Sequence, residues 1–299
     1  QAKTRATVSV ADEDKAPCFS DAPMERYYEA PLAAGRQKMD IKRAWEQRLN
    51  EVSAVFKTCP ELSEGSASFS FQVLRTYFVN SEGSVVVQNR IATRVMLMAS
   101  LKAADGMELP LNRDYFAYTP DDLPDNDRMI ADARDMIKRL LALRDAPVAD
   151  PYTGPAILSG PASGVFFHEI FGHRLEGHRL KSGGQTFKKM VGEQVLPVEF
   201  QVYCAPLLKS YADTDLYGHY VYDDEGVKAR RVDNVVNGVL KEFLMSRVPL
   251  DGFPSSNGHG RTSGGGEPVS RQSNLIIENT HPYTEDVLRA LLVGEAQKQ

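Results

Sequence analysis

Residues 67–111 read ASFSFQVLRTYFVNSEGSVVVQNRIATRVMLMASLKAADGMELPL, a stretch rich in β-branched and aromatic side chains. Such residues favour extended strands, and the interruptions NSEG at 80–83 and ADG at 104–106 are good hairpin turns. We therefore predict an antiparallel meander in the first half of the chain.

Two amphipathic helices are predicted on either side of this meander. The first lies between Met39 and Lys57, with Asp40 near its start and Pro60 just beyond its end. The second covers roughly 127–144 and follows a proline- and aspartate-rich sequence. Their apolar residues recur at helical spacing: Ile41, Trp45, Leu49, Val52 and Phe56 in the first helix, and Met129, Ile130, Ala133, Met136, Ile137, Leu140 and Leu141 in the second.

The sequence APVADPYTGP at 146–155 contains three prolines and a glycine, which disfavour both helix and strand. We interpret it as a linker that divides the chain. A polar lead-in over 1–23 precedes an N-terminal α+β domain over 24–147, and a β-rich domain follows over 148–299. The predicted fold class is α+β: an antiparallel sheet with flanking helices, followed by a β-rich domain that carries a helix at 163–177.

Local signals in the second half support this division. The sequence AILSG at 156–160 is typical of a short buried strand, after which Pro161 suits a first helical turn and Ser163 a cap. Farther along, Asn237-Gly238 indicates a hairpin between two apolar runs. The glycine-rich sequence at 255–268 predicts a loop.

The composition excludes several classes of function. The net charge is −5, so no general basic field attracts a phosphate backbone, and we expect no direct nucleic-acid partner. No apolar run approaches the roughly 20 residues of a membrane span, and we expect no membrane partner. Three distant cysteines, Cys18, Cys59 and Cys204, lack CxxC spacing, so neither a disulfide framework nor a zinc ribbon is indicated.

A cluster of histidines stands out in the sequence HEIFGHRLEGH, residues 168–178. His168 and His173 are five residues apart, so on an ideal helix, which turns about 100° per residue, they diverge by about 140°. That angle is too wide for two ligands of one metal ion. A π-bulge widens a helical turn and would bring the two rings together. We expect this irregularity near Gly172.

Two other interpretations of the same stretch remain open. On an undistorted helix, Glu169, His173 and Glu176 share one stripe and could bind a metal through a carboxylate, an imidazole and a second carboxylate. Alternatively, the helix has no metal, and His173 is hydrogen-bonded to Glu169 while Arg174 and Arg179 pair with nearby acids.

Three stretches resemble the TldD/PmbA family, also known as modulators of DNA gyrase, whose members are metallopeptidases. GVFFHEIFGHRLEGHR at 164–179 resembles the HExxxH helix of the family. The sequence at 220–244 resembles its "DDEG…G" strand pair, and the sequence at 252–277 resembles its glycine/arginine loop followed by a strand. The resemblance is close across 150–299 and weaker before it. Together the three motifs are specific.

The resemblance implies roles for particular residues. His168 and His173 become ligands of Zn²⁺, and Glu169 becomes the general base that takes a proton from the metal-bound water. The residue types agree with that chemistry, because zinc held by imidazoles lowers the pKa of its water to about 7. The implied function is hydrolysis of peptides or unfolded polypeptides. The PmbA-type subunits lack the histidine motif, so this chain resembles the catalytic, TldD-like type.

A third zinc ligand is not evident in this sequence. The family supplies a cysteine near its C-terminus, and family members continue beyond the point where this chain stops. We therefore expect 1–299 to be an internal fragment, inactive alone, whose third ligand lies past residue 299. Cys204, His219 and His259 are weaker candidates within the chain, and His178 stands where the best-known members have aspartate.

The resemblance also predicts partners and a rival function. Members form dimers, so we expect a homodimer or a heterodimer with a related subunit. A cytoplasmic location is favoured, and a periplasmic one would follow if a preceding segment carried a signal. The rival is a regulatory, partner-binding protein, similar to a gyrase modulator, which uses the motif helix structurally and hydrolyses nothing.

Overall fold

A computed structural model of the protein describes residues 19–33, 38–181, 185–262 and 265–298. Cys18 and most of the predicted lead-in therefore lie outside the described residues, as does Gly264 of the glycine-rich loop. No helix in these four ranges combines the length and the apolar character that a membrane crossing requires.

The predicted meander is confirmed and forms the main sheet of the first half. Its long central strand pairs antiparallel with a neighbour on each side, and a short N-terminal strand pairs parallel with its beginning. The NSEG and ADG sequences lie between consecutive strands, as predicted. The strands are β1 (Arg26–Tyr28), β2 (Leu62–Val79), β3 (Val85–Lys102) and β4 (Glu108–Ala117).

The two predicted helices are also confirmed. Helix α1 (Lys38–Ala54) is followed by a 3-10 turn at Phe56–Thr58, and α2 (Asn126–Asp145) follows a 3-10 turn at Pro120–Asp122. Asp125 caps α2, because its side chain accepts a hydrogen bond from the backbone N–H of Arg128. Both helices pack on the sheet and form the first core, which buries Trp45, Val52, Val55, Phe56, Val95, Leu97, Ala99, Leu101, Ala117, Leu123, Met129, Ala133, Met136 and Leu140.

The described strands of the second half are β5 (Phe200–Cys204), β6 (Ser210–Tyr211), β7 (Thr214–Asp215), β8 (Val232–Val236), β9 (Val239–Leu240), β10 (Gly260–Arg261), β11 (Val269–Ser270) and β12 (Leu275–Asn279). A small antiparallel sheet has the order β12-β5-β8-β9, and two short pairs join β6 with β7 and β10 with β11. The helices are α3 (Gly160–Phe166), α4 (Gln185–Lys188) and α5 (Glu285–Ala296).

A hairpin forms one edge of this sheet, and a second core lies beneath it. The hairpin between β8 and β9 is the one predicted from Asn237-Gly238, and both residues have positive φ angles, of 49° and 74°. The second core buries Phe171, Leu175, Leu180, Phe187, Val202, Cys204, Val232, Val235, Leu240, Phe243, Leu244, Met245 and Leu250.

Several local predictions for the second half are wrong. Residues 156–159 form no strand: they are irregular and lead into α3, which begins at Gly160, and Ile157 and Leu158 are exposed. The N-cap position of α3 is Ser159 rather than Ser163, so this helix begins earlier than predicted. Helix α5 has no counterpart in the predictions.

Before β8 begins at Val232, the segment that starts at Tyr220 forms an isolated bridge between Tyr222 and Lys228. The Asp223 carboxylate accepts hydrogen bonds from the backbone N–H groups of Glu225 and Val227. These bonds stabilise a tight turn in place of a strand ladder.

The two halves are joined by a set of hydrogen bonds that we call the junction. Gln88 on β3 exchanges two hydrogen bonds with the backbone of Tyr222, at 2.9 and 3.2 Å. The buried guanidinium group of Arg247 donates to both Glu82 carboxylate oxygens and to the backbone carbonyl of Ser20. The β2–β3 hairpin is thereby held against the second half.

Candidate metal centre

The helix that carries the histidine motif is widened where the spacing predicted. An α-helical segment over Gly160–Phe166 gives way to a π-helical turn over Phe167–Phe171 and then to a 3-10 turn over Gly172–Leu175. The backbone N–H of Gly172 donates to the carbonyls of both His168 and Phe167, four and five residues earlier. The irregularity therefore ends at Gly172, next to the position expected from the sequence.

Packing holds the motif helix in place at this point. Phe171 is buried in the second core and meets Phe187 edge-on, with ring centroids 5.3 Å apart. Leu175, four residues later, is fully buried in the same core. The Gln272 side chain packs so closely against Gly172 that a Cβ added at Gly172 would lie 2.1 Å from Oε1 of Gln272.

The widened turn brings the two motif histidines together. The ring centroids of His168 and His173 are 4.6 Å apart. Nε2 of His168 lies 3.8 Å from one carboxylate oxygen of Glu169, and Nε2 of His173 lies 3.7 Å from the other. On a regular helix the two rings would diverge by about 140°.

These three side chains form a cluster that could hold a metal ion. Among the described residues, His168, Glu169 and His173 form the one such group, with ligand atoms that all lie within 4.8 Å of one another. Half of the His168 side chain is exposed, as is more than half of Glu169, while His173 is a quarter exposed. Two imidazoles and a carboxylate at a solvent-accessible position are a donor set that suits a divalent transition metal. The residues present therefore fit a metal centre.

Glu176, the other acidic residue of the alternative stripe, lies on the far side of His173. Its carboxylate is 1% exposed, and Oε2 lies 3.1 Å from Nδ1 of His173. The same oxygen accepts a 2.6 Å hydrogen bond from Nε of Arg179 and lies 3.6 Å from Nη1 of Arg271. Glu176 thus contacts the ring nitrogen that faces away from Glu169.

Sequence reasoning missed two residues beside this cluster. The side-chain amide of Gln272 lies 3.4 Å from the backbone carbonyl of His168 and 3.4 Å from Nδ1 of His173. Arg271 reaches Glu176 from the same segment. Both follow the glycine-rich loop by a few positions, and no local spacing connects them with a helix about 100 residues earlier.

The other candidate ligands lie elsewhere. Cys204 is fully buried in the second core, and burial raises the pKa of its thiol to about 12. His219 has Nδ1 bonded to the carbonyl of Pro206 at 2.9 Å. His259 is fully buried, with Nε2 3.3 Å from Oγ of Ser273. His178 is partly buried, and burial lowers its pKa. None of these four residues belongs to the described cluster.

Comparison with known proteins places this site in a family. Residues 151–296 match the model of the PmbA/TldA metallopeptidase C-terminal domain. This domain of the chain belongs to the TldD/PmbA family. A metalloprotease of Archaeoglobus fulgidus is 33% identical over 132 residues, which are 44% of this chain and 29% of that protein. Metalloprotease MJ0996 of Methanocaldococcus jannaschii is 29% identical over 220 residues, which are 71% of this chain and 46% of that protein.

Solved structures agree with this assignment at the level of the fold. A Thermotoga maritima protein described as a modulator of a DNA gyrase superposes with a TM-score of 0.62 and 17% identity, over 97% of this chain and 64% of that one. TldE from Thermococcus kodakarensis gives a TM-score of 0.59 and 18% identity, over 96% and 63%. The predicted α+β fold class is confirmed. This chain spans less than half the length of the two curated relatives.

Proposed function

We propose that this chain carries the catalytic part of a zinc-dependent peptidase that hydrolyses peptides or unfolded polypeptides. The observation that carries the proposal is the π-helical turn at Phe167–Phe171, which brings His168, Glu169 and His173 together. A widened turn departs from the most stable helix geometry and is frequent at functional sites. The names of the curated relatives, which are metalloproteases, support the same function.

In this proposal His168 and His173 would hold the metal, and Glu169 acts as the general base. Zinc, when bound, supplies the Lewis acidity that lowers the pKa of water to about 7 and polarises a peptide carbonyl. The Glu169 carboxylate lies within 3.8 Å of both Nε2 atoms, so it faces the side on which water and substrate would arrive.

The role of Glu169 in hydrolysis follows from this position. Its carboxylate accepts a proton from the attacking water while the water oxygen forms a bond to the peptide carbonyl carbon. The same carboxyl group then delivers the proton to the leaving nitrogen as the C–N bond breaks, which yields a new carboxylate and a new amine. Its exposure leaves room for an extended chain to approach.

The first test replaces Glu169 with glutamine in the full-length, zinc-loaded protein. Glu169→Gln keeps the shape of the side chain and removes the base, so hydrolysis of a fluorescently labelled, unfolded casein should fall by roughly 100- to 10,000-fold. Bound zinc, measured by elemental analysis, should remain. Glu285 on α5, an exposed glutamate paired with Arg289, provides the control variant Glu285→Gln, which should keep full activity.

Three results would contradict parts of the proposal. Unchanged turnover in Glu169→Gln would remove this residue from the mechanism. Loss of zinc from that variant would make Glu169 a ligand instead of the base. A zinc-loaded wild-type protein that hydrolyses no peptide, while it binds a partner through this helix, would favour the regulatory function.

Association with a related subunit is a further part of the proposal. It is supported by the likeness in fold to TldE of Thermococcus kodakarensis. Light scattering of the full-length protein, alone and mixed with a related subunit from the same source, should detect a dimer. A monomer under both conditions would contradict it.

A further inference from the structure

A cavity of about 550 Å³ lies between the first sheet and the second half of the chain, and we call it the interface cavity. Strands β2 and β3 form one wall, to which they contribute Leu74 and residues 88–91. Residues 217–221 and Arg261 belong to the opposite wall. The three residues of the candidate metal cluster do not line this cavity.

Hydrogen bonds hold the two walls of the cavity together. The backbone N–H of Tyr118, just after β4, donates to Asp215 at 3.1 Å, and the Tyr118 hydroxyl donates to the carbonyl of Leu216 at 2.6 Å. The next residue, Tyr217, meets the ring of Phe116 edge-on, with centroids 5.3 Å apart. The second half therefore contacts the sheet here as well as at the junction, and both walls have defined positions.

The two acidic residues in the described lining already have partners. Oε2 of Glu29 accepts hydrogen bonds from the backbone and side-chain N–H groups of Asn89, at 2.7 and 3.1 Å. The Asp224 carboxylate forms an ion pair with Nη1 of Arg261 at 2.9 Å. One cation of the lining is thus paired with an acid.

Two further cations of the lining, Arg90 and Lys209, have no acidic partner among the residues that the structure describes. The guanidinium group of Arg90 lies over the ring of Tyr217, 4.2 Å from its centroid. This cation–π contact holds the group in place and leaves its N–H donors available. With three cations against two carboxylates, the lining has a net charge of +1.

The lining also provides a neutral acceptor and apolar surface. Nδ1 of His219 lies 2.9 Å from the carbonyl oxygen of Pro206, so Nδ1 carries the ring proton. Burial lowers the pKa of His219, so the ring is neutral at pH 7 and Nε2 can accept a hydrogen bond. Leu74 and Ile91 add apolar side chains from β2 and β3.

We propose that the interface cavity binds the C-terminal residue of a peptide, with its carboxylate at Arg90 and Lys209 and an apolar side chain against Leu74 and Ile91. This inference rests on the proposed function only in taking the ligand to be a peptide. A single carboxylate matches the net charge of the lining, and arginine suits carboxylates because its N–H donors are arranged as a planar fork. Nε2 of His219 supplies an acceptor for a peptide N–H.

A site for simple inorganic anions is the alternative, and the shape of the cavity argues against it. A ligand site is typically a cleft of several hundred cubic ångströms, with apolar walls and a few polar groups that fix the orientation of the ligand. An inorganic anion would fill a small part of the interface cavity and would make no use of its apolar wall. The two alternatives predict different responses to inorganic phosphate.

The test measures binding of the N-terminally dansylated tripeptide Ala-Ala-Leu, either as the free acid or as the C-terminal amide. The protein is the full-length, zinc-loaded Glu169→Gln variant, so that the peptide is not cleaved. Fluorescence anisotropy should show that the free acid binds at least tenfold more tightly than the amide, because only the acid carries the charge that Arg90 recognises.

Substitutions in the same background locate the site. Arg90→Gln should weaken binding of the free acid by about 10- to 100-fold, because it removes charged donors. Lys209→Gln should weaken it by about two- to fivefold, since this lysine is exposed to solvent. Lys102 is an exposed lysine at the end of β3 that does not line the cavity, and Lys102→Gln should leave the affinity unchanged.

Four results would overturn the inference. They are equal binding of the acid and the amide, full affinity in Arg90→Gln, displacement of the peptide by an equal concentration of inorganic phosphate, and loss of the acid–amide difference when a chelator removes the zinc. The last result would place the carboxylate at the metal. The acid–amide comparison needs no variant in the cavity, so it decides the matter even if Arg90→Gln fails to fold. If the wild-type protein hydrolysed no casein while the acid still bound through Arg90, the proposed function would fail and this site would stand.

Discussion

Gly258 provides a test of how tightly the loop before His259 is packed. Its φ angle is +77°, and an added Cβ would lie 2.5 Å from Cα of Ala229 and 2.7 Å from the carbonyl oxygen of Lys228. Both neighbours are backbone atoms. The loop is also held in place, because the carbonyl of Gly258 accepts a 2.8 Å hydrogen bond from the hydroxyl of Tyr220.

Gly258→Ala should therefore lower stability for two separate reasons. An L-residue in the left-handed region costs about 1–2 kcal/mol. Overlap with fixed neighbours costs about 1–3 kcal/mol more, so the expected loss in free energy of unfolding is roughly 2–5 kcal/mol. Gly252 offers a matched control, since its φ angle is +82° and no atom of the described residues lies within 4 Å of the added Cβ. Gly252→Ala should lose only the first contribution.

Urea denaturation of both variants, followed by circular dichroism, measures the difference between them. Both variants place alanine in the left-handed region, and both replace a glycine in the unfolded chain. These two contributions therefore cancel when the two free energies of unfolding are compared. The remainder, about 1–3 kcal/mol, reports the overlap with the 228–229 backbone alone. Equal losses in Gly258→Ala and Gly252→Ala would refute this account of the loop.

Three further predictions concern the second half. Gly172→Ala should push the Gln272 side chain away and lower the free energy of unfolding by about 1–3 kcal/mol. The double variant with Gln272→Ser should regain most of that loss in a denaturation experiment. No recovery would contradict the predicted clash between the added Cβ and Gln272. In the folded protein at pH 8, Cys204 should resist iodoacetamide, because it is fully buried and burial raises the pKa of its thiol to about 12. In urea it should react, as followed by mass spectrometry. Rapid labelling of the folded protein would contradict its burial. Burial holds the pKa of His259 at about 4, below the 6.5 of an exposed histidine, so the unfolded state binds the proton more tightly. The contribution of His259 to the free energy of unfolding should therefore be fully present above pH 6.5, and about 3 kcal/mol should be lost as the pH falls toward 4. His259→Gln should lose less stability over the same range. Parallel pH profiles of the two proteins would contradict this effect of His259.

Much of the first half could be predicted from local patterns. The apolar positions of α1 and α2 and the two turns of the meander are set by interactions between residues close in sequence. The π-helical turn was predictable for a different reason, since spacing of five positions between His168 and His173 conflicts with a regular helix if both bind one metal. The roles of these histidines and of Glu169, and the division of the chain after residue 147, stay predictions.

The remaining features depend on contacts that no local pattern contains. AILSG is apolar enough for a buried strand, but in the described part of the chain no strand pairs with it, and Ile157 and Leu158 are exposed. The environment of Glu176 is set partly by Arg271, which is 95 positions away in sequence (271 − 176). His259 looked like an ordinary loop histidine, and only the packed structure shows that it is fully buried.

The hydrogen bonds of Arg247 at the junction bear on how the protein folds during its synthesis. Glu82 precedes Arg247 by 165 residues and Ser20 precedes it by 227. At about 5–20 residues per second, a ribosome adds Arg247 roughly 8–33 s after Glu82. Hairpins form within microseconds, so the β2–β3 hairpin has ample time to fold first. The first core, complete in sequence by Leu140, can thus be preformed before Arg247 is synthesised, while the junction can close only after Arg247 has emerged.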